Sequence, residues 1–336
     1  MAEMRYKNMG RSGLKISALT LGTLWFGKKV DEAAARRIVD RALDAGVNCI
    51  DTADIYGKDR WDTPERGPSE EIVGRILKGR RQSVVLASKV CAMAGPGVND
   101  RGLSRKHIME GVHESLRRLQ TDYIDLYYLH EPDYDTPLEE SLEALDDLVR
   151  QGKILYIGLS NYYAWQVCKA LWHADKKSLA SVACIQMVYN LVARDSELEM
   201  TRLCEAEGVG INVWGALAGG MLSGRYLQYD PSKPPPDGVK PYPATWQPRY
   251  FEAVSRLKEI AGARSLSQFS LAWMLQNPQL SSIVCGVSSL EQLEENLGCL
   301  DIELTTEDLR ACDEVWQQLR PAPVMFYARG YGIDFK

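Results

Sequence analysis

Four polar residues that could do acid–base chemistry stand at or just beyond the ends of short apolar runs: Asp51, Tyr56, Lys89 and His130. Each run is typical of a buried parallel strand, and the polar residue falls where that strand would reach the surface. The ends of parallel strands are where such folds place their chemistry. A tyrosine is a poor acid at neutral pH, with a pKa of about 10, and a nearby lysine ammonium would lower that pKa. The set therefore indicates proton donation to a carbonyl group.

Each of the four residues also has a structural interpretation. A lysine or aspartate at a strand end is often a solvated terminus, a lone histidine is more often structural than catalytic, and Tyr56 could simply pack beside Ile55. Their joint appearance favours chemistry, because a barrel brings consecutive strand ends within side-chain reach of one another. A Lys89–Asp51 ion pair beside Tyr56 and His130 would supply an acid and an orienting hydrogen-bond donor.

The elements that must position these residues follow from the periodicity, because strand-like runs alternate with amphipathic stretches about eight times. The predicted strands are 16–22, 47–51, 84–89, 123–130, 154–160, 182–186, 211–214 and 282–286. The predicted helices are 32–45, 69–78, 104–119, 137–150, 162–173, 196–207, 249–262 and 289–297, with additional helices at 266–276 and 305–319. Eight such units in 336 residues favour a closed (β/α)₈ TIM barrel over an open sheet with a second domain. We expect one domain over residues 1–336, with an extra C-terminal helix and long loops.

Composition narrows the class of protein. A chain that is 45% hydrophobic and 25% charged is typical of a soluble globular protein, and its net charge of −5 argues against a nucleic-acid partner. No apolar run approaches the roughly 20 residues of a membrane-spanning helix, and the N-terminus lacks a secretory apolar region. Eight scattered cysteines without a C-x-x-C predict no metal site. We therefore expect a cytoplasmic protein with neither a membrane nor a nucleic-acid partner.

Several motifs together resemble the aldo-keto reductases: D-T-A-D-I-Y-G (51–57), A-S-K ending at Lys89, L-Y-Y-L-H-E-P around His130, and G-L-S-N (158–161). The resemblance covers nearly the whole chain. It implies a (β/α)₈ barrel and reversible hydride transfer between a nicotinamide cofactor and a carbonyl substrate. It also makes Tyr56 the general acid, Lys89 and Asp51 the groups that tune it, and His130 the residue that orients the carbonyl oxygen.

One further segment, R-G-L-S-R-K-H-I (101–108), resembles the potassium-channel beta subunits and their bacterial keto-sugar and aldehyde reductase relatives. Such beta subunits bind a nicotinamide dinucleotide and pair with a channel, so a regulatory subunit with little turnover competes with a reductase. The resemblance favours a reductase, because the beta subunits lack a histidine at the position of His130. It also permits a homo-oligomer.

The same resemblance implies the cofactor site. Its residues for the nicotinamide are Thr23, Asp51, Ser160, Asn161, Gln186 and Trp214; for the pyrophosphate Gly215, Leu217, Gly219 and Arg225; and for the adenosine end Gly286, Ser288, Gln292, Glu295 and Asn296. Without the resemblance, the polar ones are equally well interpreted as strand-end or helix caps. W-G-A-L stands where relatives usually have W-S-P-L, which removes a hydroxyl and a rigid proline. NADP(H) is the expected cofactor and NAD(H) stays open, because Val287 to Ser289 are uncharged.

The substrate pocket is less well specified by the sequence. Trp25, Tyr56, Trp61 and His130 are the predicted lining, with Tyr162 and Trp246 as further candidates. Scattered tryptophans are more often packing residues. The expected substrate is an aldehyde or ketone, such as a keto-sugar or a small carbonyl metabolite. A third alternative is a barrel enzyme that oxidises a sugar alcohol with NAD.

Overall fold

Eight short apolar segments pair side by side as parallel strands and close into a barrel. The computed structural model describes residues 3–58, 63, 66–236 and 245–319. An antiparallel pair, β1 (Tyr6–Asn8) and β2 (Lys15–Ser17), precedes the barrel. The barrel strands are β3 (Leu19–Gly22), β4 (Cys49–Asp51), β5 (Val85–Val90), β6 (Ile124–Leu129), β7 (Ile154–Ser160), β8 (Val182–Val188), β9 (Gly210–Trp214) and β10 (Ser282–Gly286). The order β10-β3-β4-β5-β6-β7-β8-β9 confirms the predicted TIM barrel.

Amphipathic helices surround the barrel. Within the ranges given above they are α1 (Glu32–Asp44), α2 (Ser69–Leu77), α3 (Arg105–Leu119), α4 (Leu138–Arg150), α5 (Ala164–Lys177), α6 (Met200–Glu207), α7 (Pro248–Ala261), α8 (Leu266–Leu275), α9 (Leu290–Leu297) and α10 (Thr306–Leu319). Ser104 caps α3, since its side chain accepts a hydrogen bond from the His107 amide. No helix in the described part of the chain is long and apolar enough to cross a membrane.

The predicted first strand, 16–22, is two strands in the structure. The chain leaves the antiparallel pair at Ala18, whose amide donates to the Arg5 carbonyl at 2.8 Å. Ser17 is held by Asn48, whose side-chain oxygen accepts from the Ser17 amide at 2.8 Å. A continuous apolar run therefore hides a change of hydrogen-bonding partner, and only the second half of the run joins the barrel.

The extra helices also differ from the prediction. The sequence indicated 249–262 as the barrel helix of the seventh unit and 266–276 as additional, but α8 contacts the last strand while α7 packs chiefly against α10. α8 is buried along nearly its whole length, as expected of a helix covered on several sides. α8 is therefore the helix that contacts the barrel, and α7 and α10 are the additional helices that pair with each other.

Candidate active site

Asp51 and Lys89 form a buried ion pair at the carboxyl ends of β4 and β5, two neighbouring strands. Lys89 Nζ donates to Asp51 Oδ1 at 2.5 Å and to the Thr52 carbonyl at 2.9 Å. The two side chains are only 0% and 2% exposed. Charges buried this deeply are tolerated when they are paired and hydrogen-bonded. The site therefore has a fixed ammonium at its base.

Tyr56 lies directly over that ammonium. Lys89 Nζ is 4.6 Å from the centroid of the Tyr56 ring and also hydrogen-bonds the Tyr56 hydroxyl. Burial alone would lower the pKa of Lys89, but the Asp51 carboxylate and the Tyr56 hydroxyl outweigh it and hold that pKa above its usual value. The lysine is therefore charged at physiological pH. A permanent positive charge beside a phenol favours the phenolate form.

His130 completes the group on the other side of Tyr56. The two rings meet edge to face with centroids 5.8 Å apart. Burial, and then the Lys89 charge, hold the pKa of His130 well below its usual value. The imidazole is therefore neutral and keeps one N–H donor and one acceptor nitrogen. The structure thus brings together all four predicted acid–base residues, which are Asp51, Tyr56, Lys89 and His130.

Two residues predicted for the cofactor hold Asp51 from either side. Gln186 Nε2 donates to Asp51 Oδ2 at 2.8 Å, and Thr23 Oγ1 donates to the Asp51 carbonyl at 3.0 Å. Both side chains are buried. Thr23 also accepts a hydrogen bond from the Ser69 hydroxyl at 2.8 Å. The Thr23 hydroxyl is thus engaged within the protein, and it acts on the site through Asp51.

Asn161 joins the acid–base residues to the strands beyond them. Its Nδ2 donates to the His130 carbonyl at 2.9 Å and to Ser160 Oγ at 3.2 Å, while its Oδ1 accepts from Trp214 Nε1 at 3.0 Å. Its φ of 64° lies in the left-handed region, which asparagine tolerates better than most residues. The ends of β6, β7 and β9 are therefore tied together by one exposed carboxamide.

The glycine-rich segment after β9 turns sharply. Ala218, Gly219 and Gly220 have φ values of 49°, 66° and 95°, and Tyr226 closes the turn by donating its hydroxyl to the Gly219 carbonyl at 3.1 Å. Arg225 is exposed at its end, with Nε donating to Ser223 Oγ at 3.0 Å. Successive left-handed residues without bulky side chains leave backbone N–H groups accessible to an anion. Gly215 and Leu217, also predicted for the pyrophosphate, begin this segment.

Trp246, a candidate for the substrate pocket, packs within an aromatic cluster on this segment. Its ring meets Tyr226 at 5.8 Å and Phe251 at 5.0 Å between centroids. Its indole nitrogen donates to the Lys233 carbonyl. Trp246 therefore fastens the chain between β9 and α7 onto the glycine-rich segment.

The predicted adenosine end lies between β10 and α9. Ser288 donates its amide and its hydroxyl to Gln292 Oε1 at 2.8 and 3.1 Å. Glu295 accepts from the Ser265 hydroxyl, and Asn296 is buried. A methyl group added at Gly286 would meet nothing within 4 Å, so the surface there is open. Openness at Gly286, the partly exposed glycines of the turn, the exposed Arg225 and the half-exposed Trp214 indole together fit an extended dinucleotide.

The residues predicted to line the substrate pocket include Trp25 and Tyr162, which the structure describes. Trp25 is half-buried, with Lys29 Nζ 4.1 Å and Lys28 Nζ 5.6 Å from the ring centroid. Tyr162 is buried, and Trp61 lies outside the described residues. Cations over an indole face form a cation–π arrangement, so Trp25 presents a flat, partly polar surface.

Sequence reasoning missed a buried charged network beneath Tyr56. Asp54 pairs with Arg66, and Glu70 pairs with Arg118 at 2.7 Å while also accepting from Ser88 Oγ at 2.6 Å. Asp54, Glu70 and Arg118 are all buried. The available signal was charge at positions where the helix pattern places the barrel-facing side of α2 and α3.

Comparison with known proteins agrees with this geometry. The model of the Aldo/keto reductase family matches residues 18–317. A Bacillus subtilis protein named "Uncharacterized oxidoreductase YrpG" is 38% identical over 321 residues, which cover 93% of this chain and 96% of that protein. Proteins named "Probable voltage-gated potassium channel subunit beta" from Arabidopsis thaliana and Oryza sativa subsp. japonica are each 36% identical, over 89% of this chain and 92% of their own length. The chain belongs to the aldo/keto reductase family.

Proposed function

We propose that this protein is an NADP(H)-dependent reductase of an aldehyde or ketone, such as a keto-sugar or a small carbonyl metabolite, with Tyr56 as its general acid. The observation that carries the proposal is the Tyr56 hydroxyl hydrogen-bonded to the buried Lys89 ammonium and flanked by the neutral His130. In this proposal residues 1–336 act as one domain in the cytoplasm.

The residues divide the proton chemistry among them. A nicotinamide cofactor held at the second half of the barrel mouth would supply the hydride for the carbonyl carbon. Tyr56 donates its proton to the carbonyl oxygen, and Lys89 stabilises the phenolate that remains. Asp51 keeps Lys89 charged, and the neutral His130 donates its N–H to the same oxygen. These roles rest on the contacts of Lys89 with Asp51 and Tyr56 and on the contact of Tyr56 with His130.

Cofactor binding in the proposal uses the second half of the barrel mouth. Ser160, Asn161 and Gln186 offer amide and hydroxyl groups for the carboxamide, and Trp214 offers its indole face. The glycine-rich segment with Arg225 supports the pyrophosphate. Ser288 and Gln292, at the N-terminus of α9, support the adenosine end. NADPH as the preferred form is tested by comparing kcat/KM for NADPH and NADH: a ratio of about ten or more supports it, and a ratio of one or below contradicts it.

The central test is Tyr56→Phe, which removes only the acidic hydroxyl. We expect its kcat for NADPH-dependent reduction across a carbonyl panel to fall by about 10² to 10⁴. Quenching of tryptophan fluorescence by NADPH should persist. Tyr163→Phe is the matched control, because Tyr163 is exposed at the residue that precedes α5, and it should keep the wild-type rate. Equal turnover by wild type and Tyr56→Phe would rule out the assigned acid.

A second candidate function is a dinucleotide-binding regulatory subunit with little turnover. The plant relatives named as channel subunits favour it, whereas the neutral His130 beside Tyr56 favours the reductase. NADPH binding at micromolar concentration without turnover on any carbonyl would support the subunit. A homo-oligomer belongs to either proposal, and sedimentation velocity of the purified protein measures it.

A further inference from the structure

Tyr56 stands on a segment that is closed at its base by an ion pair. Asp54 lies two residues before Tyr56, and Arg66 lies ten residues after it; Arg66 Nη1 donates to Asp54 Oδ2. We propose that the Asp54–Arg66 pair is an acid-sensitive clamp that positions Tyr56 for proton transfer. This inference rests on the proposed function, since it assigns a positioning role for the same general acid.

Backbone contacts show how closely the two ends of the segment are joined. The Gly67 amide donates to the Asp54 carbonyl at 2.9 Å, and the Ser69 amide donates to the Tyr56 carbonyl at 3.2 Å. A Cβ at Gly67 would lie 1.9 Å from the Tyr56 carbonyl oxygen. The chain beside Arg66 therefore packs flat against the peptide groups around Tyr56. A displacement of Arg66 would be transmitted directly to the acid.

The other side of Tyr56 is held as well. The Gly57 amide donates to the Leu24 carbonyl at 3.1 Å, and a Cβ at Gly57 would lie 2.2 Å from the Phe26 carbonyl oxygen. Tyr56 is thus bounded by the loop after β3 on one side and by the Arg66–Ser69 backbone on the other. The second support includes the Asp54–Arg66 ion pair.

The clamp is costly to bury, which indicates a purpose other than stability. Asp54 is buried, and its Oδ1 has no hydrogen-bond partner among the described residues. Arg66 is 18% exposed. A buried carboxylate with one oxygen bonded and one unsatisfied destabilises the fold relative to a neutral isostere. In the neighbouring pair of Glu70 and Arg118, by contrast, both carboxylate oxygens of Glu70 accept hydrogen bonds, one from Arg118 and one from Ser88.

Charged and titratable groups among the described residues face Asp54 from several elements. Arg66 and Arg118 attract its negative charge, and Glu70 repels it. Tyr127 of β6 and Cys91 after β5 also face it, but both are held neutral because their own pKa values are raised. His107 of α3 faces Arg66, and its pKa is lowered, first by burial.

The balance of these groups makes the clamp acid-sensitive. Burial, opposed by Arg66, raises the pKa of Asp54 to about 6. Above that pH the carboxylate is ionised and holds Arg66; below it, the protonated group loses its charge and its hold. We therefore expect kcat to fall as pH decreases through 6. His130 is not the source of such a limb, because its pKa lies well below its usual value.

The test uses Asp54→Asn in the full chain, compared with wild type for kcat, NADPH affinity and the pH profile. We expect kcat at pH 7.5 to fall about tenfold, the limb near pH 6 to disappear, and the Kd for NADPH from fluorescence quenching to stay unchanged. Arg66→Gln should lower kcat to the same extent, and Arg66→Lys should restore most of it.

Asp125→Asn is the matched control. Asp125 is also buried and pairs with an arginine, Arg81, at 2.7 Å, but it lies at the start of β6, at the opposite end of the barrel from Tyr56. It should lose thermal stability and keep the wild-type kcat and pH profile.

Two outcomes would overturn the clamp. The first is an Asp54→Asn variant that loses stability as Asp125→Asn does, with kcat and pH profile unchanged. The second, which applies if Asp54→Asn does not fold, is Arg66→Gln with a full wild-type rate. Failure of the proposed function is distinguishable, because Tyr56→Phe would then turn over as fast as wild type.

Discussion

The two halves of the barrel mouth carry different types of side chain. The half at β4, β5 and β6 holds paired charges that are almost wholly buried, with Lys89 and Asp51 at its centre. The half at β7 to β10 holds neutral amides, hydroxyls and glycines, and it reaches an open surface at Asn161 and Gly286. The first half fixes the protonation state of its groups, and the second leaves backbone and side chains accessible to a detachable ligand.

The difference between the two halves predicts which property a substitution should change. Removing one partner of a buried ion pair leaves an uncompensated charge and costs about 3 to 5 kcal/mol of folding free energy. Removing a neutral hydrogen bond costs about 0.5 to 1.5 kcal/mol. Changes in the first half should therefore alter stability or kcat, whereas changes in the second half should alter cofactor affinity.

The largest effect is expected for Lys89→Met. Asp51 would remain charged, buried and without its ammonium, so the free energy of unfolding should fall by about 3 to 5 kcal/mol. The double variant Asp51→Asn/Lys89→Met should recover much of that loss, because no charge is then left buried, while turnover stays abolished. Urea unfolding and NADPH oxidation measure the two quantities. A stable, active Lys89→Met variant would contradict the role given to the buried ion pair.

His130→Ala should leave stability nearly unchanged and lower kcat by about 10² to 10³, as expected for loss of one hydrogen-bond donor to the carbonyl oxygen. The backbone of His130 keeps its bonds to Val90 and Asn161. NADPH titration should give the wild-type Kd. A large change in Kd with kcat preserved would place His130 in the cofactor half instead.

The stability of the folded protein should depend on pH through Asp54. Its pKa of about 6 in the folded protein exceeds the unfolded value of about 3.9. Its protonated form therefore stabilises the fold below pH 4, and that contribution is lost as pH rises through 6, about 3 kcal/mol in all. Unfolding free energies of Asp54→Asn, measured by urea at pH 4.5 and 7.5, should lack this loss. A pH dependence equal to wild type would contradict the assignment.

Arg225→Ala examines the cofactor half. We expect the Kd for NADPH to rise about tenfold, in line with the loss of one charge-assisted contact of about 1.5 kcal/mol, with Tm and saturated kcat unchanged. Arg249→Ala is the control, because Arg249 stacks on Tyr250 at the start of α7. A fall in kcat without a change in Kd would contradict the division of labour.

The smallest effect separates strain at the site from strain elsewhere. Ser178, at the end of α5, has a φ of 54°, so Ser178→Gly should stabilise the protein by roughly 0.5 to 1 kcal/mol without changing turnover. Asn161→Gly relieves a similar angle but removes bonds to His130, Ser160 and Trp214, so it should destabilise and raise the Kd for NADPH. Calorimetry and fluorescence titration compare the two variants.

The fold was predictable because parallel strands and their helices leave strong periodic patterns. The sequence located all eight barrel strands and put Asp51, Lys89 and His130 at their ends. It failed at 16–22, where one apolar run serves two sheets, and at 249–276, where hydrophobicity alone could not tell which helix touches the barrel. In both places the deciding contacts come from distant segments.

The candidate site was less predictable where a residue acts through another residue. Nothing in the local pattern indicates that Gln186 and Thr23 both bond to Asp51, since they lie on separate strands. Asp54 and Arg66 were overlooked for the same reason: a charged residue in a loop reads as solvent-exposed. The packing of Trp246 against Tyr226 was likewise not predictable, because aromatic rings carry no sequence sign of what they will pack against.

Gly67 has a practical consequence for redesign of the enzyme. The backbone near Tyr56 is held by hydrogen bonds from the Gly57 amide to the Leu24 carbonyl and from the Gly67 amide to the Asp54 carbonyl. The two ends of the connection between residues 57 and 67 are therefore fixed. The length and composition of this connection can be varied in a library that keeps both glycines, Asp54 and Arg66, without displacing the acid. Positions 57 and 67 must both stay glycine, because a Cβ at either would overlap a backbone carbonyl oxygen.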